Sequence, residues 1–169
     1  MKKTLVVYAS KTGTTRECAK LLKEYFPRAD YADLTKEQPD PTEYDLILCG
    51  AGVRMGMVHK KLKKWIAKYH EILAAKEHAF FICNGNPTQV ETVLIQNFGK
   101  ELLETSICAT SFGGYTDYKR FKGMDRFIMK MLANQARERR LPETGILKEN
   151  IKAFAETIRE QRAENIAKE

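Results

Sequence analysis

The chain has 169 residues, with 29 Lys and Arg against 22 Asp and Glu, a formal charge of +7 and 43% hydrophobic residues. This suits one globular domain over 1–169 with a charged tail from about 160 onward, and argues against a disordered or fibrous chain. There is no apolar run of membrane-spanning length and no C-x-x-C pair or histidine cluster at metal spacing, and Met1-Lys2-Lys3 leads directly into an apolar strand rather than a secretory signal. A cytoplasmic location and no metal are therefore expected. The positive charge points to an acidic protein, an anionic small molecule or an anionic membrane surface. No recognition motif for nucleic acid accompanies it.

Thr4 to Ala9 is a β-branched, apolar run that reads as a buried strand. Cys18, Ala19, Leu21, Leu22, Tyr25 and Phe26 then recur at helical spacing, and Thr14 with Glu17 fits a capping box at the start of that helix. Between strand and helix lies Ser10-Lys11-Thr12-Gly13-Thr14-Thr15, with four hydroxyls around one glycine. Backbone amides and the dipole at a helix start favour an anion, so the loop is a candidate phosphate site. It matches neither G-x-x-x-x-G-K-S/T nor G-x-G-x-x-G, which excludes the common nucleotide triphosphate and dinucleotide loops.

Further along, Ala29–Leu34 is a short strand candidate, followed by a segment with Pro39 and Pro41 that does not suit a regular helix. Tyr44–Cys49 reads as a buried strand ending in Gly50-Ala51-Gly52-Val53-Arg54-Met55-Gly56-Met57, whose glycines permit close approach of backbone to a flat ligand. A helical stripe of Leu62, Trp65, Ile66, Tyr69 and Leu73 has Lys60, Lys61, Lys63, Lys64 and Lys68 on its other face. Ala79–Cys83 is the next strand, leading into Asn84-Gly85-Asn86 and a helix expected to be capped by Thr88. Ser106–Phe112 is the last strand. Strands alternating with helices specify a parallel sheet covered on both faces, with ligands beyond the carboxyl ends of the strands. The loops from Ser10, Gly50 and Asn84 all fall on that edge.

Two helices remain. One packs through Leu147, Ile151, Phe154, Ala155 and Ile158. The other, about Phe121 to Arg137, carries Met124, Phe127, Ile128, Met131 and Leu132 on one face among Lys119, Arg120, Lys122, Arg126, Lys130, Arg137, Arg139 and Arg140. It is expected to bury its stripe in the core and expose a basic face. The same pattern suits peripheral contact with an anionic membrane through 119–140.

The first loop resembles the flavodoxin phosphate loop, S/T-x-T-G-x-T, through Ser10, Thr12, Gly13 and Thr15. The resemblance implies a flavodoxin-like α/β fold with five parallel strands in the order 2-1-3-4-5, an abbreviated second crossover and one extra helix before the last. It also implies FMN, held by Ser10, Lys11, Thr12, Gly13, Thr14 and Thr15 at the phosphate. Ala51, Gly52, Val53, Arg54, Met55, Gly56, Asn84, Gly85, Asn86 and Tyr115 are expected around the ring. From Gly50 onward the chain is similar to the bacterial menaquinone-dependent protoporphyrinogen IX dehydrogenases. Gly50 to Gly56 with His59, Gly113-Gly114-Tyr115 leading into Tyr118-Lys119-Arg120, and Asp125 to Lys130 carry that similarity. It implies an FMN-dependent oxidoreductase with a porphyrinogen and a quinone, or a redox protein, as partners; with the basic helix, a cytoplasmic protein in peripheral contact with the inner face of the cell membrane is the matching expectation. Arg54 and His59 are the candidates for chemistry. Arg54 suits a carboxylate or reduced flavin; His59 suits a proton relay or a simple helix cap.

The chain lacks the long basic insertion which that branch carries after its fourth strand. This keeps a flavodoxin-type electron carrier open, beside a non-catalytic FMN-binding module. The loop after Gly50 has no tryptophan and the loop after Cys83 no tyrosine, so Met55, Met57 or a tyrosine between Tyr115 and Tyr118 is expected to cover the flavin.

Overall fold

The computed structural model describes residues 2–114, 122–138 and 145–168. Tyr115, Tyr118, Lys119, Arg120, Phe121, Arg139 and Arg140 lie outside the described residues, as do the side chains of Asp125, Leu132 and Arg137. In chain order the elements are β1 (Thr4–Ala9), α1 (Thr14–Leu22), β2 (Asp30–Asp33), β3 (Leu46–Arg54), β4 (Met57–Val58), α2 (Lys60–Lys68), α3 (His70–Ala75) and β5 (Glu77–Cys83). A 3₁₀ turn at Pro87–Gln89 follows, then α4 (Val90–Phe98), α5 (Lys100–Thr105), β6 (Ala109–Ser111), α6 (Gly123–Glu138) and α7 (Lys148–Lys168).

The sheet runs β2-β1-β3-β5-β6, every pairing parallel, with β4 turned back antiparallel on β3. Leaving aside β4, this is the expected 2-1-3-4-5 order. Residues alternate between its two faces with the strand period. Leu5, Val7, Ile47, Cys49, Phe80 and Ile82 form one core with Leu62, Trp65, Leu73, Leu94 and Phe98. Val6, Leu46, Leu48, Ala79 and Phe81 form the other with Cys18, Leu22, Phe112, Ile151, Phe154 and Ile158. Thus α1 and α7 cover one face while α2 to α5 cover the other.

Several boundaries differ from the sequence reading. β3 does not stop at Cys49 but continues to Arg54, because Gly50, Ala51 and Gly52 pair with Phe81, Ile82 and Cys83 of β5, and a Cβ at Gly50 would lie 2.0 Å from ring atoms of Phe81. Gly50 therefore makes room for a core aromatic, and the glycine serves packing instead of a ligand. The stripe from Leu62 to Leu73 is two helices, broken at Tyr69, whose backbone leaves the helical region (φ −111, ψ 22). The proline-bearing segment after β2 forms a turn and extended chain in place of a crossover helix. Trp65 Nε1 donates to the Pro39 carbonyl at 2.9 Å, and Lys76 Nζ donates to the carbonyls of Pro41 (3.1 Å), Thr42 and Tyr44 (2.6 Å). One core indole and one lysine thus pin a stretch that has no regular hydrogen bonding of its own. The charged C-terminal segment stays helical to Lys168, held by the Arg162–Glu77 ion pair (3.0 Å).

The largest departure is α6. Met124, Phe127 and Met131 are 74%, 60% and 50% exposed, so the stripe expected in the core faces out. The sheet cores are formed with α1 and α7 on one face and α2 to α5 on the other, and no described residue of α6 belongs to either. Lys122, Arg126 and Lys130 are exposed as well. Among the described residues, no helix is long and apolar enough to cross a membrane.

Candidate cofactor site

β1 delivers the chain to Ser10, whose Oγ accepts from the Gly13 amide at 2.9 Å and closes the loop on itself. Gly13 takes a left-handed conformation (φ 94) that a side chain would strain. Its carbonyl accepts from Glu17 N at 2.9 Å, so Gly13 is the helix cap and Thr14 already stands inside α1. The expected Thr14–Glu17 capping box does not form, because the cap position belongs to the residue before. No side chain caps α1. Its leading amides and positive end are directed at the loop, among the hydroxyls of Ser10, Thr12, Thr14 and Thr15. An added Cβ at Gly13 would meet nothing within 4 Å, so the mouth of the loop is open. These features fit a phosphate group.

The other expected segments converge here. A Cβ on Gly52 would lie 3.4 Å from Thr15 Oγ1, so the end of β3 passes beside the loop. Beyond it Met55 and Gly56, both at positive φ (51 and 75), make the two-residue turn of the β3–β4 hairpin. Met55 is 71% exposed at its tip. On the far side, a Cβ at Gly114 would stand 3.2 Å from Gly85 N, which brings the chain after β6 against the loop after β5. The side chains of Asn84 and Asn86 fold that loop: Asn84 exchanges bonds with Asn86 N (3.0 Å) and O (2.9 Å), and Asn86 Oδ1 accepts from Thr88 N (3.0 Å) and Oγ1 (2.7 Å). Asn86 therefore caps the 3₁₀ turn, α4 begins after Gln89 with no side-chain cap from it or from Thr88, and both asparagine side chains are engaged within the loop. Tyr115 lies outside the described residues.

Two polar residues that the sequence reading passed over hold these segments in place. Asp33, buried at the end of β2, accepts from Arg16 Nη2 (3.0 Å) and from Thr35 N (3.0 Å) and Oγ1 (2.6 Å). Burial pushes its carboxyl up, but the Thr35 and Arg16 hydrogen bonds outweigh that and hold it below the ordinary carboxylate range. Arg16 belongs to the first turn of α1, so this pair fixes the start of the helix against β2. Asn97, on the buried side of α4, donates to Gly56 O and Val93 O (both 2.8 Å) and accepts from Val58 N (3.0 Å). The signal was present: Asn97 falls between Leu94 and Phe98 on an otherwise apolar stripe, where a polar group needs partners.

Residues 5–141 match the flavodoxin domain family. The chain belongs to that family. Among curated proteins it is similar to protoporphyrinogen IX dehydrogenase (quinone) of Escherichia coli strain K12, 28% identical over 142 residues, covering 77% of this chain and 78% of that one. Among solved structures it is similar to a Lactobacillus acidophilus flavoprotein in complex with FMN (TM-score 0.52, 19% identity, 66% of this chain and 93% of that chain). It is also similar to the two-electron reduced flavodoxin of Megasphaera elsdenii (TM-score 0.51, 15% identity, 64% and 84%). These two support the fold.

In this flavodoxin-family chain the two residues singled out for chemistry sit on either side of the hairpin. Arg54 is half-buried at the end of β3, paired in register with Met57. His59 caps α2, its Nδ1 accepting from Lys61 N at 3.2 Å. Partial burial and then the nearby Lys11, Lys60 and Lys61 push its protonation below the ordinary histidine value. Among the described residues no group of three or more His, Cys, Asp or Glu is placed to hold a metal ion.

Proposed function

We propose that the protein is an FMN-dependent oxidoreductase that passes electrons through the flavin to a quinone-like acceptor. The open, uncapped start of α1, ringed by Ser10, Thr12, Thr14 and Thr15, carries this reading. These hydroxyls, Lys11 and the first-turn amides would hold the phosphate of FMN. The backbone of Ala51–Gly56 and of Asn84–Asn86, with Tyr115, would line the ring. Bound FMN supplies a centre that takes up two electrons and can release them singly.

The protein's own residues have separable tasks. Donors at α1 neutralise the phosphate in a site where charge-assisted hydrogen bonds are strong. Met55 occupies a left-handed conformation that usually favours Asn or Gly, and such strain is retained where the side chain has work to do. Its exposed thioether is suited to cover the flavin. Arg54 is suited to hold a substrate carboxylate or to favour negative charge on the ring. His59 Nδ1 is engaged as a cap, which leaves Nε2 as the atom able to exchange a proton.

The named activity of the Escherichia coli relative supports dehydrogenation of a porphyrinogen as the donor reaction. The exposed Met124, Phe127 and Met131, with Lys122, Arg126 and Lys130 on the same segment, support docking of a cytoplasmic protein on the anionic inner face of the cell membrane, where a quinone would be met. A second reading is a flavodoxin-type carrier between soluble redox proteins. It is favoured by the direct passage from β5 through Asn84–Asn86 into the 3₁₀ turn and α4, with no long insertion.

The test is anaerobic reoxidation of the reduced, FMN-loaded protein by a menaquinone analogue in anionic vesicles and, separately, by soluble carrier proteins. In the Arg126→Glu, Lys130→Glu variant, vesicle sedimentation and quinone reduction should both fall while FMN stays bound. Unchanged quinone reduction overturns the role of α6, and turnover confined to soluble carriers establishes the second reading.

A further inference from the structure

We infer that the lysine face of α2 is a docking surface for the acidic face of a small electron-transfer protein, which exchanges electrons with the cofactor one at a time. The inference rests on the FMN reading above but on different residues. Lys60, Lys61, Lys63 and Lys64 are all exposed, while Leu62, Trp65 and Ile66 of the same helix are buried. Helical periodicity therefore gathers the four ammonium groups on one outward surface. Among the described residues none of the four forms an ion pair. No acidic residue occupies the first turn of α2. Lys60 and Lys61 stand there instead, against the positive end of the helix dipole, an arrangement that disfavours the isolated helix. Among the described residues no acidic side chain offsets this charge, so an acidic partner would relieve it.

The position of this face gives it a use. α2 starts one residue after β4, on the hairpin that edges the cofactor site, and His59 at its cap feels Lys60, Lys61 and also Lys11 of the phosphate loop. Asp33 acts on His59 in the opposite sense, and it is already paired with Arg16. The positive field thus extends from the rim of the site along the first turns of α2. A partner attracted by it arrives beside the flavin.

The surface also discriminates between kinds of partner. α6 presents exposed methionine and phenylalanine to its surroundings, whereas the apolar residues of α2 face the core. With nothing to insert, α2 does not suit a bilayer. It suits the small, wet, charge-steered interface of a transient redox encounter, in which complementary charge raises the association rate more than the affinity. Each encounter would move one electron between the partner and bound FMN; two encounters would complete its two-electron change, with the protons exchanged with solvent.

The experiment uses FMN-loaded protein, a reduced acidic two-iron ferredoxin as probe, and the triple variant Lys60→Glu, Lys61→Glu, Lys64→Glu. Glutamate is favourable in the first turn at 60 and 61, and position 64 is exposed, so the variant should fold. A triple glutamine variant separates loss of charge from reversal. We expect the second-order rate of electron transfer to fall by about tenfold or more on charge reversal and on raising the salt. Glutamine should lie between, and the fall should exceed the smaller change seen with a small neutral reductant, which reads only the altered potential of the flavin. Surface plasmon resonance of oxidised ferredoxin on immobilised protein should lose its signal in step. Equal rates and equal ferredoxin binding in all three proteins overturn the inference. So does loss of phosphatidylglycerol-vesicle binding with ferredoxin binding intact, which would assign α2 to a membrane. Failure of the wild-type protein to take up FMN would refute the cofactor reading instead, and the resonance measurement on apoprotein would still decide the docking face.

Discussion

The side-chain amide of Asn97 donates to the carbonyl oxygen of Gly56 at 2.8 Å, tying the tip of one site loop to the helix that follows another. The same side chain serves Val58 N and Val93 O. It is 8% exposed, so water cannot replace these bonds readily. Asn97→Leu keeps the volume but leaves the Val58 amide and the Gly56 carbonyl without this partner, at about 1–3 kcal/mol for each buried group left unsatisfied. The expected outcome is a lower urea midpoint together with faster hydrogen exchange at the Val58 amide. FMN affinity should fall too, because the hairpin loses its brace. Unaltered exchange at Val58 would show that the hairpin holds itself.

A second expectation concerns the phosphate. Thr12→Ala with Thr15→Val removes two hydroxyls, the valine preserving the shape of a side chain that is 1% exposed. Charge-assisted hydrogen bonds contribute roughly 1.5–3 kcal/mol each, so FMN affinity should drop by at least an order of magnitude per hydroxyl. Riboflavin, which has no phosphate, should bind both proteins alike. Fluorescence titration of apoprotein with the two ligands is the check. A wild-type protein that does not distinguish FMN from riboflavin would remove the role assigned to Ser10–Thr15.

How much of this was legible in the sequence depends on the range of the interaction involved. β1, the loop Ser10–Thr15 and the buried side of α1 follow from local periodicity and turn chemistry, and their placement follows from the sheet pattern. The course of β3 beyond Cys49 was not legible, because the residues that hold Gly50 to Gly52 in the sheet, Phe81 to Cys83, come from a neighbouring strand. The Thr14–Glu17 box was misread because Gly13, in a left-handed conformation, takes the cap. Periodicity found α6 as an amphipathic helix, yet it cannot say whether another element remains to cover the apolar side. Asp33 and Asn97 lie between these cases: their types marked them as polar residues in buried settings, but their partners come from distant segments.

The cap of α2 should respond to pH. His59 Nδ1 accepts from Lys61 N, so a proton on that nitrogen breaks the bond. In the folded protein its protonation is pushed below the ordinary value of 6.5. The unfolded chain therefore binds this proton more readily, and the contribution of His59 to stability is present above that value and lost as the pH falls through the depressed folded value. Chemical unfolding between neutral and mildly acidic pH should show stability falling, and His59→Asn, which can cap without titrating, should flatten that part of the profile. A histidine NMR titration that places His59 above the ordinary range would reverse the sign and defeat the argument.

The buried imidazole of His78 gives a prediction about the scaffold beneath the site. Its Nδ1 lies 2.8 Å from Lys76 O and its Nε2 2.8 Å from Leu102 O, so the ring bridges the start of β5 to α5. Phe would fill the space and keep the edge contact that the ring makes with Phe80 at 5.4 Å between centroids. It would provide no donor for either carbonyl. His78→Phe should therefore destabilise by about 1–3 kcal/mol through the carbonyl that loses its donor. FMN affinity should hold, because neither carbonyl is near the loops after Ala9, Arg54 or Cys83. A loss of stability without loss of binding would separate scaffold from site; equal losses of both would mean that α5 helps to position the loops.

The last prediction concerns the redox potential. Taking up electrons can leave negative charge on the flavin, and the energy of that charge depends on the field at the carboxyl edge of the sheet. Here the edge is basic: Lys11, Lys60 and Lys61 lie close enough together to act on His59. They should favour the reduced cofactor and raise its midpoint potential above that of a flavodoxin whose rim is acidic. Exposed charges are screened over about 10 Å at moderate salt, so the potential should fall as salt is added. Lys60→Glu with Lys61→Glu should lower it at low ionic strength, and the difference from wild type should shrink at high ionic strength. A spectroelectrochemical titration of both proteins at two salt concentrations gives the four numbers needed. If the potential rises with salt, or if the variant and wild type differ equally at both, the field of these lysines is not what sets it, and the half-buried Arg54 becomes the group to test.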